Sequence, residues 1–352
     1  MSAKTTRLLI AASGTGGHLF PALAVAEQLP EYQIEWLGVP NRLEKTLVGD
    51  RYLLHTIPIE GFQQRFGLKS VKIIFRLISS VFQVQKLIRD RQIEAVFTTG
   101  GYIAAPAILA ARLQKIPAVL HEANFIPGKV TRFLSRWCDT VALGFEGTTQ
   151  YLPHIRTTYV STPVRSQFLS SQSLDLSVPP EAPLIVVMGG SQGAVAVNKL
   201  VREAAPAWFE ECAIVVHLTG EKDPDVASLK HPQYISMPFY DNMAGLLQRA
   251  NLAISRAGAG ALTELAVTKT PAILIPYPYA AEDHQAYNAR VFADAGAAIV
   301  YRQAELTAKV LQERVLDLLQ TPSQLQQMAE QAATLAMTDS AERLANLVRS
   351  LN

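Results

Sequence analysis

The sequence has few cysteines and no long apolar run. It contains 2 cysteines in 352 residues, Cys138 and Cys212, which are too few for a structural zinc site and fit a reducing compartment. We expect both to be small buried residues. The uncharged stretch 95–111 is interrupted by two glycines and Pro106, and it is shorter than the about 20 apolar residues that span a bilayer. We therefore expect no transmembrane helix.

The N-terminal segment lacks the features of a secretory signal. Only residues 8–12 form an apolar run between Arg7 and a glycine-rich loop, without a long apolar core or a small-residue cleavage site. We expect the protein to stay in the cytoplasm. Hydrophobic residues make up 49% of the chain, and 20 glycines and 20 prolines are spread along it. This composition excludes a disordered, collagen-like or coiled-coil protein.

Charge is distributed unevenly between the two halves of the chain. Residues 1–162 carry 18 basic and 11 acidic side chains, a net charge of +7, whereas residues 163–352 carry 14 and 19, a net charge of −5. This asymmetry predicts an anionic partner or surface for the first half, with solvated faces as the alternative. No basic run with interleaved aromatic residues is present, so we expect no nucleic-acid partner.

Short apolar strands alternate with helical segments, and the pattern restarts after Pro163. The predicted strands are residues 7–12, 34–37, 95–98, 118–120, 140–143, 184–188, 214–218, 234–237, 252–255 and 272–275. Such βαβ alternation predicts an α/β protein with two doubly wound, Rossmann-like parallel sheets that face an interdomain cleft. The predicted domains are residues 1–162 and 163–337. The last helix, within 338–352, could belong to either domain, and we assign it to the first.

A glycine turn follows the first predicted strand, at residues 13–18. It differs from a dinucleotide fingerprint because Leu19 replaces the third glycine and no acidic residue follows the second strand. Backbone amides at a helix N-terminus suit an anion, and His18 lies beside them. Because imidazole ordinarily titrates near neutral pH, His18 is a candidate general base. The alternative is that His18 only caps the turn.

Two more glycine turns follow later strands, at residues 100–102 and 189–194. One such turn is usually a tight connection, but three at strand ends predict a polyphosphate ligand. The segment 255–288 adds a glycine-rich helix start at 256–260, followed by Glu264. Amides at such a helix start can hold a diphosphate, and a carboxylate one to two turns along can bind ribose hydroxyls. The polar triplet 283–285 suits sugar hydroxyls, with a polar helix cap as the alternative.

Two other segments, residues 121–124 and 71–88, are candidates for a functional role. The polar residues 121–124 follow a buried strand, so we expect their side chains to project into the cleft rather than the core. Residues 71–88 predict a helix whose apolar arc of about 200° is wider than one packing face needs. We expect part of this arc to meet lipid. A helix wedged between the sheet and a neighbouring element is the alternative.

These motifs together resemble a known bacterial family. The motifs are Gly14-Thr15-Gly16-Gly17-His18 with Pro21-Ala22-Leu23, Gly100-Gly101-Tyr102, His121-Glu122-Ala123-Asn124, residues 189–194, and Glu264 with Asp283-His284-Gln285. They are similar to the N-acetylglucosaminyltransferases that convert lipid I to lipid II in peptidoglycan synthesis. The resemblance runs from about Arg7 to the C-terminus. Ser13 and Ala123 stand where the family usually has glycine and glutamine, so Ala123 is given no role.

The resemblance implies an inverting GT-B glycosyltransferase. UDP-N-acetylglucosamine would be the donor, and the C4 hydroxyl of undecaprenyl-pyrophosphoryl-N-acetylmuramoyl-pentapeptide, lipid I, would be the acceptor. His18 would be the base, with Glu122 and Asn124 orienting the acceptor or the base. The implied donor-site residues are Thr15, Gly16, Gly17, Asn124, Arg165, Ser191, Gln192, Gly193, Tyr240, Met243, Arg256, Gly258, Ala259, Gly260, Glu264, Asp283, His284 and Gln285. The implied ligands of the lipid diphosphate are Gly14, Thr15, Gly16, Gly17, Gly100, Gly101 and Tyr102.

The resemblance also implies peripheral attachment to the cytoplasmic face of the plasma membrane. The side chains expected at anionic inner-leaflet lipids are Lys72, Ile74, Phe75, Arg76, Ile78 and Phe82. Association with other cell-wall and division enzymes is implied, without naming them. No carboxylate cluster predicts a protein-bound metal, and a Mg²⁺ carried by the phosphates stays open. Two rival functions stay open as well: a related transferase with a diacylglycerol or sterol acceptor, and a non-catalytic nucleotide-sugar-binding subunit.

Overall fold

The computed structural model describes residues 5–40, 42–59, 68–190 and 193–351, without the side chains of residues 68–73. The chain divides into two compact units. The first comprises Met1–Arg165 and Asp339–Asn352, and the second comprises Ser166–Thr338. The boundaries expected from the sequence, after residues 162 and 337, lie within three residues of these divisions.

Each unit has one parallel sheet within the described residues. The strands of the first unit are β1 (Arg7–Ala11), β2 (Gln33–Gly38), β3 (Leu53–Thr56), β4 (Ala95–Thr98), β5 (Ala118–Glu122), β6 (Thr140–Leu143) and β7 (Thr157–Tyr159), in the order β3-β2-β1-β4-β5-β6-β7. Those of the second are β8 (Leu184–Met188), β9 (Ile214–Leu218), β10 (Tyr234–Met237), β11 (Leu252–Ser255), β12 (Ala272–Leu274) and β13 (Ala298–Val300), in the order β10-β9-β8-β11-β12-β13.

Helices connect the strands. They are α1 (Gly16–Glu27), α2 (Glu44–Leu47), α3 (Leu68–Asp90), α4 (Ala104–Gln114), α5 (Lys129–Leu134), α6 (Val195–Glu210), α7 (Met243–Arg249), α8 (Ala259–Val267), α9 (His284–Asp294), α10 (Ala308–Leu319), α11 (Pro322–Thr334) and α12 (Ser340–Arg349). The fold class predicted from the sequence, two Rossmann-like parallel-sheet units, is confirmed.

Both faces of the first sheet are covered, which explains its continuous apolar strands. Successive side chains of a strand point to opposite faces. Leu8 and Ile10 of β1 accordingly pack into a core with α1 and α12, whereas Leu9 and Ala11 pack into a core with α3 and α4. Leu344 of α12 is fully buried in the α1 core, so the C-terminal helix lies in the first unit.

Most central strands match their predicted bounds, but three edge strands were missed. β3, β7 and β13 each lie at the edge of a sheet, and their side chains are mostly half-buried or exposed. The expectation that both cysteines are buried was wrong for Cys212, which is exposed. Cys138 is half-buried, and burial raises the pKa of its thiol to about 12.

Candidate active site

The first glycine turn joins β1 to α1 and leaves backbone amides at the helix start. Gly14 has φ +104°, a conformation that favours glycine. Thr15, at the N-cap, is extended and makes no side-chain capping hydrogen bond. Because the first N–H groups of a helix have no acceptor within the helix, this turn offers donors to an anion.

The second glycine turn follows β4 and lies against the imidazole of His18. Gly100 and Gly101 have φ values of +87° and +72°. A Cβ atom at Gly101 would lie 3.5 Å from Nε2 of His18, and one at Gly100 would lie 3.9 Å from Cε1 of His18. The two glycines therefore keep the chain close to the ring without a side chain in between. Tyr102, at the end of this turn, is exposed.

The tautomer of His18 is set by a backbone carbonyl. Nδ1 of His18 lies 2.7 Å from the carbonyl oxygen of Thr99, and the Thr99 hydroxyl donates in return to the His18 carbonyl at 3.0 Å. A carbonyl can only accept, so Nδ1 carries the hydrogen in the neutral ring. Nε2 then holds the lone pair on the side of the second glycine turn. This is the arrangement that a general base requires.

The segment 121–124 differs from its expectation, because two of its polar side chains are buried rather than projecting. His121 is fully buried, its Nε2 lies 3.0 Å from the Ser161 carbonyl, and burial lowers its pKa to about 4. The Glu122 carboxylate accepts hydrogen bonds from the amides of Asn124 and Gly128 and from the Thr131 hydroxyl. Glu122 therefore shapes the loop that carries Asn124, which is itself half-buried.

Arg165 lies near the first glycine turn, within the first unit. Its guanidinium stacks over the ring of Phe20, 4.5 Å from the ring centroid. Phe20 in turn packs against Gly16, where a Cβ atom would come within 2.6 Å of the Phe20 ring. The Arg165 guanidinium therefore lies on a ring that packs against the start of α1, and a side chain at residue 16 would require that ring to move.

The third glycine turn joins β8 to α6 in the second unit. Gly190 and Gly193 have φ values of +84° and +74°, and the Gly193 amide donates to the Gly190 carbonyl at 2.9 Å. Ser191 and Gln192, both expected at the donor diphosphate, lie outside the described residues.

A fourth turn joins β11 to α8. Gly258 is the N-cap residue of α8, and a Cβ atom at Gly258 or at Gly260 would meet nothing within 4 Å. Neither packing nor a positive φ requires glycine at these two positions, so the open space beside the helix start is available to a ligand. Ala259 is the first residue of α8, and Glu264 lies half-buried farther along it.

Arg256 and Gln285 brace this fourth turn. The Arg256 guanidinium is buried, donates to the carbonyls of Ile275 and Pro276, and donates to Oε1 of Gln303. Burial lowers its pKa. Oε1 of Gln285 accepts from the amides of Ala257 and Tyr277, at 3.2 and 2.9 Å. The sequence suggested direct ligand contacts for both side chains, but many of their hydrogen bonds are made to backbone carbonyls and amides.

The neighbouring polar residues lie at the start of α9. Asp283 has φ +54° and forms an ion pair with Arg302 at 2.7 Å. Nδ1 of His284 lies 2.9 Å from the Ala281 carbonyl, which leaves Nε2 as the acceptor nitrogen of a neutral ring. On another loop, the Tyr240 hydroxyl donates to Asp175, and Met243 begins α7.

The apolar arc of α3 is divided between core and surface. Val81, Val84 and Ile88 are buried in the core on one face of the first sheet. The expected membrane residues have high exposed fractions: Ile74 47%, Phe75 69%, Ile78 47% and Phe82 65%. Arg76 is half-buried, and the side chain of Lys72 lies outside the described residues.

In the parts of the chain that the structure describes, no cluster of three or more His, Cys, Asp or Glu residues could hold a metal ion. No described helix has the length and apolar character needed to cross a membrane.

Comparisons with known proteins cover nearly the whole chain. The Glycosyltransferase family 28 N-terminal domain matches residues 8–143, and the family 28 C-terminal domain matches residues 184–344. A UDP-N-acetylglucosamine--N-acetylmuramyl-(pentapeptide) pyrophosphoryl-undecaprenol N-acetylglucosamine transferase of Gloeothece citriformis is 69% identical over 99% of this chain and 97% of its own. The protein of the same description from Microcystis aeruginosa is 68% identical over 99% and 98%.

A solved structure agrees with these relatives. The crystal structure of MurG from Acinetobacter baumannii superposes with a TM-score of 0.77 at 29% identity, covering 98% of this chain and 99% of that one.

Proposed function

Because this chain belongs to glycosyltransferase family 28, we infer that it is an N-acetylglucosaminyltransferase of peptidoglycan synthesis. The donor is UDP-N-acetylglucosamine, and the acceptor is the muramoyl-pentapeptide linked through pyrophosphate to undecaprenol. The support is the 69% identity over nearly the full chain to a relative described by this reaction. The product is lipid II, the disaccharide-pentapeptide unit from which the cell wall is built.

The single observation that carries the chemistry is the orientation of His18. In an inverting transfer the acceptor C4 hydroxyl attacks C1 of the sugar on the face opposite the UDP. The bond between C1 and the β-phosphate oxygen breaks, UDP leaves with the electron pair, and the hydroxyl proton needs a base. Nε2 of His18 holds its lone pair on the side of the second glycine turn, while Nδ1 is fixed by Thr99. We assign the proton to Nε2.

The donor nucleotide is assigned to the second unit. The amides at the start of α8 and at the third glycine turn supply donors to the diphosphate, and the Arg256 charge lies behind the α8 turn. Glu264 is proposed to bind the ribose hydroxyls. Gln285 and His284 are proposed to face the sugar, and Tyr240 and Met243 to border the uracil.

The lipid-linked diphosphate is assigned to the first two glycine turns. Thr15, Gly16 and Gly17 lie at the uncapped start of α1, where backbone amides favour an anion. The turn at Gly100 and Gly101 lies beside the His18 ring, so a pyrophosphate held there would bring its sugar close to the base. In this proposal no metal ligand comes from the protein, and a Mg²⁺ carried by the phosphates remains compatible with it.

The site of action is proposed to be the cytoplasmic face of the plasma membrane. The exposed side chains of Ile74, Phe75, Ile78 and Phe82 share one surface of α3, and the chain half that contains them has a net charge of +7. Apolar side chains that enter the headgroup region, together with basic residues attracted to anionic lipids, produce peripheral binding. The acceptor is itself a membrane lipid, so this surface would keep the enzyme near its substrate.

The product tests this function. Purified protein is incubated with UDP-N-acetylglucosamine and the muramoyl-pentapeptide lipid, and the disaccharide product is isolated. We expect one N-acetylglucosamine per acceptor, and the NMR coupling constant of its anomeric proton should report a β linkage. An α-linked product would refute the single displacement, and release of free sugar without a disaccharide would refute the acceptor.

A further inference from the structure

The third glycine turn is packed against another loop of the second unit. A Cβ atom at Gly193 would lie 2.3 Å from the Thr219 carbonyl oxygen and 3.1 Å from Cα of Gly220. Real Cβ atoms do not come this close to backbone oxygen, so residue 193 can only be glycine here. The position of the glycine turn therefore depends on the position of the loop that follows β9.

That loop is fixed by helix α6, which begins directly after the glycine turn. Nδ2 of Asn198 donates to the Thr219 carbonyl at 2.8 Å and to the Asp223 carboxylate at 2.7 Å. Arg202, one turn farther along α6, forms a two-point ion pair with Asp223 at 2.7 and 3.2 Å. The exposed fractions of the two side chains are 7% for Arg202 and 0% for Asp223.

The remaining polar groups of the cluster are also satisfied. Nε2 of His217 lies 3.0 Å from Oδ1 of Asn198, and Nδ1 lies 2.7 Å from the Tyr234 hydroxyl. Oδ1 of Asn198 can only accept, so Nε2 donates and Nδ1 accepts from the tyrosine. The second oxygen of Asp223 accepts the Asp225 amide at 3.0 Å. A buried polar cluster that is fully paired is rigid, because each displaced group would leave a partner unsatisfied.

We propose that the Arg202–Asp223 ion pair is a positioning device for the third glycine turn, and that it tunes binding of the diphosphate part of the nucleotide. This inference rests on the donor assignment made above. Neither side chain touches the substrate in this account. The pair holds the loop 219–223 against α6, and that loop holds Gly193 in place.

The test compares UDP with uridine, the nucleoside that lacks the diphosphate. Arg202→Lys keeps the charge without the two-point geometry, and Asp223→Asn removes the charge. The dissociation constants for UDP and for uridine are measured by calorimetry or competition. We expect UDP affinity to fall about 2- to 30-fold, the usual range for positions that act through a network, while uridine affinity stays unchanged. Folded variants with an unchanged ratio of the two constants would overturn the proposal.

A matched control separates positioning from loss of stability. Glu35 of the first unit is a buried carboxylate that accepts from Arg91 at 2.9 Å and contacts His55 at 2.7 Å. Glu35→Gln disrupts an ion pair whose carboxylate is buried and whose arginine is 40% exposed, in the other unit of the chain. We expect it to lower the melting temperature without changing UDP affinity. An equal loss of UDP affinity in Glu35→Gln would show that general destabilisation explains the result.

A measurement on the unaltered protein covers the case in which both variants fail to fold. Amide hydrogen exchange of residues 219–225 is followed with UDP, with uridine and without ligand. We expect UDP to slow exchange in this segment and uridine to leave it unchanged. Equal exchange in all three conditions would overturn the proposal. An unaltered protein that does not bind UDP would instead refute the donor assignment.

Discussion

Nδ1 of His18 lies 2.7 Å from the carbonyl oxygen of Thr99, and this single contact decides which nitrogen of the neutral ring carries the lone pair. The two residues are 81 positions apart in the chain, and they meet because β1 and β4 are neighbours in the sheet. The Thr99 hydroxyl donates back to the His18 carbonyl, so the first turn of α1 and the second glycine turn are held together. The ring is thereby oriented before any substrate binds.

The first prediction concerns this ring. Removing a general base typically costs about 10²- to 10⁴-fold in rate, so His18→Ala should lower kcat by that order. UDP affinity should barely change, because the base is assigned to the acceptor. kcat and the acceptor KM are measured for His18→Ala and His18→Gln, with thermal melts to confirm folding. A folded His18→Ala with more than about a tenth of the normal kcat, under conditions where chemistry limits the rate, would exclude this base.

The second prediction concerns the nucleotide. A hydrogen bond to a charged group contributes about 1.5 to 3 kcal/mol, so Glu264→Ala should weaken UDP binding by about tenfold or more. Gln285→Ala should also weaken UDP binding, because Oε1 of Gln285 accepts a hydrogen bond from the Ala257 amide in the turn before α8. Calorimetry with UDP alone measures both. Unchanged affinity in Glu264→Ala would remove this residue from the donor site.

The third prediction concerns the membrane surface of α3. Ile74, Phe75 and Ile78 are exposed, so their replacement by serine should leave the fold intact. Loss of apolar contact should release the protein from anionic vesicles in a sedimentation assay. Val310→Ser alters an exposed apolar residue of the second unit and serves as the control. A folded triple variant that binds vesicles as well as the unaltered protein would place the lipid surface elsewhere.

The fourth prediction concerns pH and His217. Burial lowers the pKa of His217 to about 3, and the Arg202 charge contributes to the shift. The unfolded chain, with a pKa near 6.5, binds a proton that the folded chain does not bind, so stability falls as pH drops below about 6.5. At pH 5 the loss is roughly 2 kcal/mol. Thermal melts at pH 7 and pH 5 should show a smaller loss of stability for His217→Gln than for the unaltered protein. An equal loss in both proteins would contradict the lowered pKa of His217.

The sequence predicted the central strands better than the edges. β4, β6 and β8 lie inside their sheets with all residues buried, so their apolar runs are continuous and bounded by turns. An edge strand has a neighbour on one side only. β7, Thr157–Tyr159, is accordingly short and partly polar, and nothing in its composition separates it from a loop.

The glycine turns could also be predicted from sequence, but the partners of the side chains around them could not. Arg256 and Gln285 have the chemistry of ligand-binding residues, and only the fold shows that backbone carbonyls and amides occupy much of that capacity. The Arg202–Asp223 ion pair could not be predicted from the sequence, because the two residues are 21 positions apart and follow no motif. Contacts of this kind depend on which elements pack together.

Transfer of labelled sugar to defined acceptors tests the central claim most directly. The purified protein is incubated with radiolabelled UDP-N-acetylglucosamine and one acceptor at a time. The acceptors are the muramoyl-pentapeptide pyrophosphoryl lipid, a diacylglycerol and a sterol, and label in the lipid fraction is counted. We predict label in the muramoyl-pentapeptide lipid alone, and about 10²- to 10⁴-fold slower labelling of that lipid with folded His18→Ala. Label in the diacylglycerol or the sterol, or in no acceptor at all while UDP-N-acetylglucosamine is bound, would contradict the account.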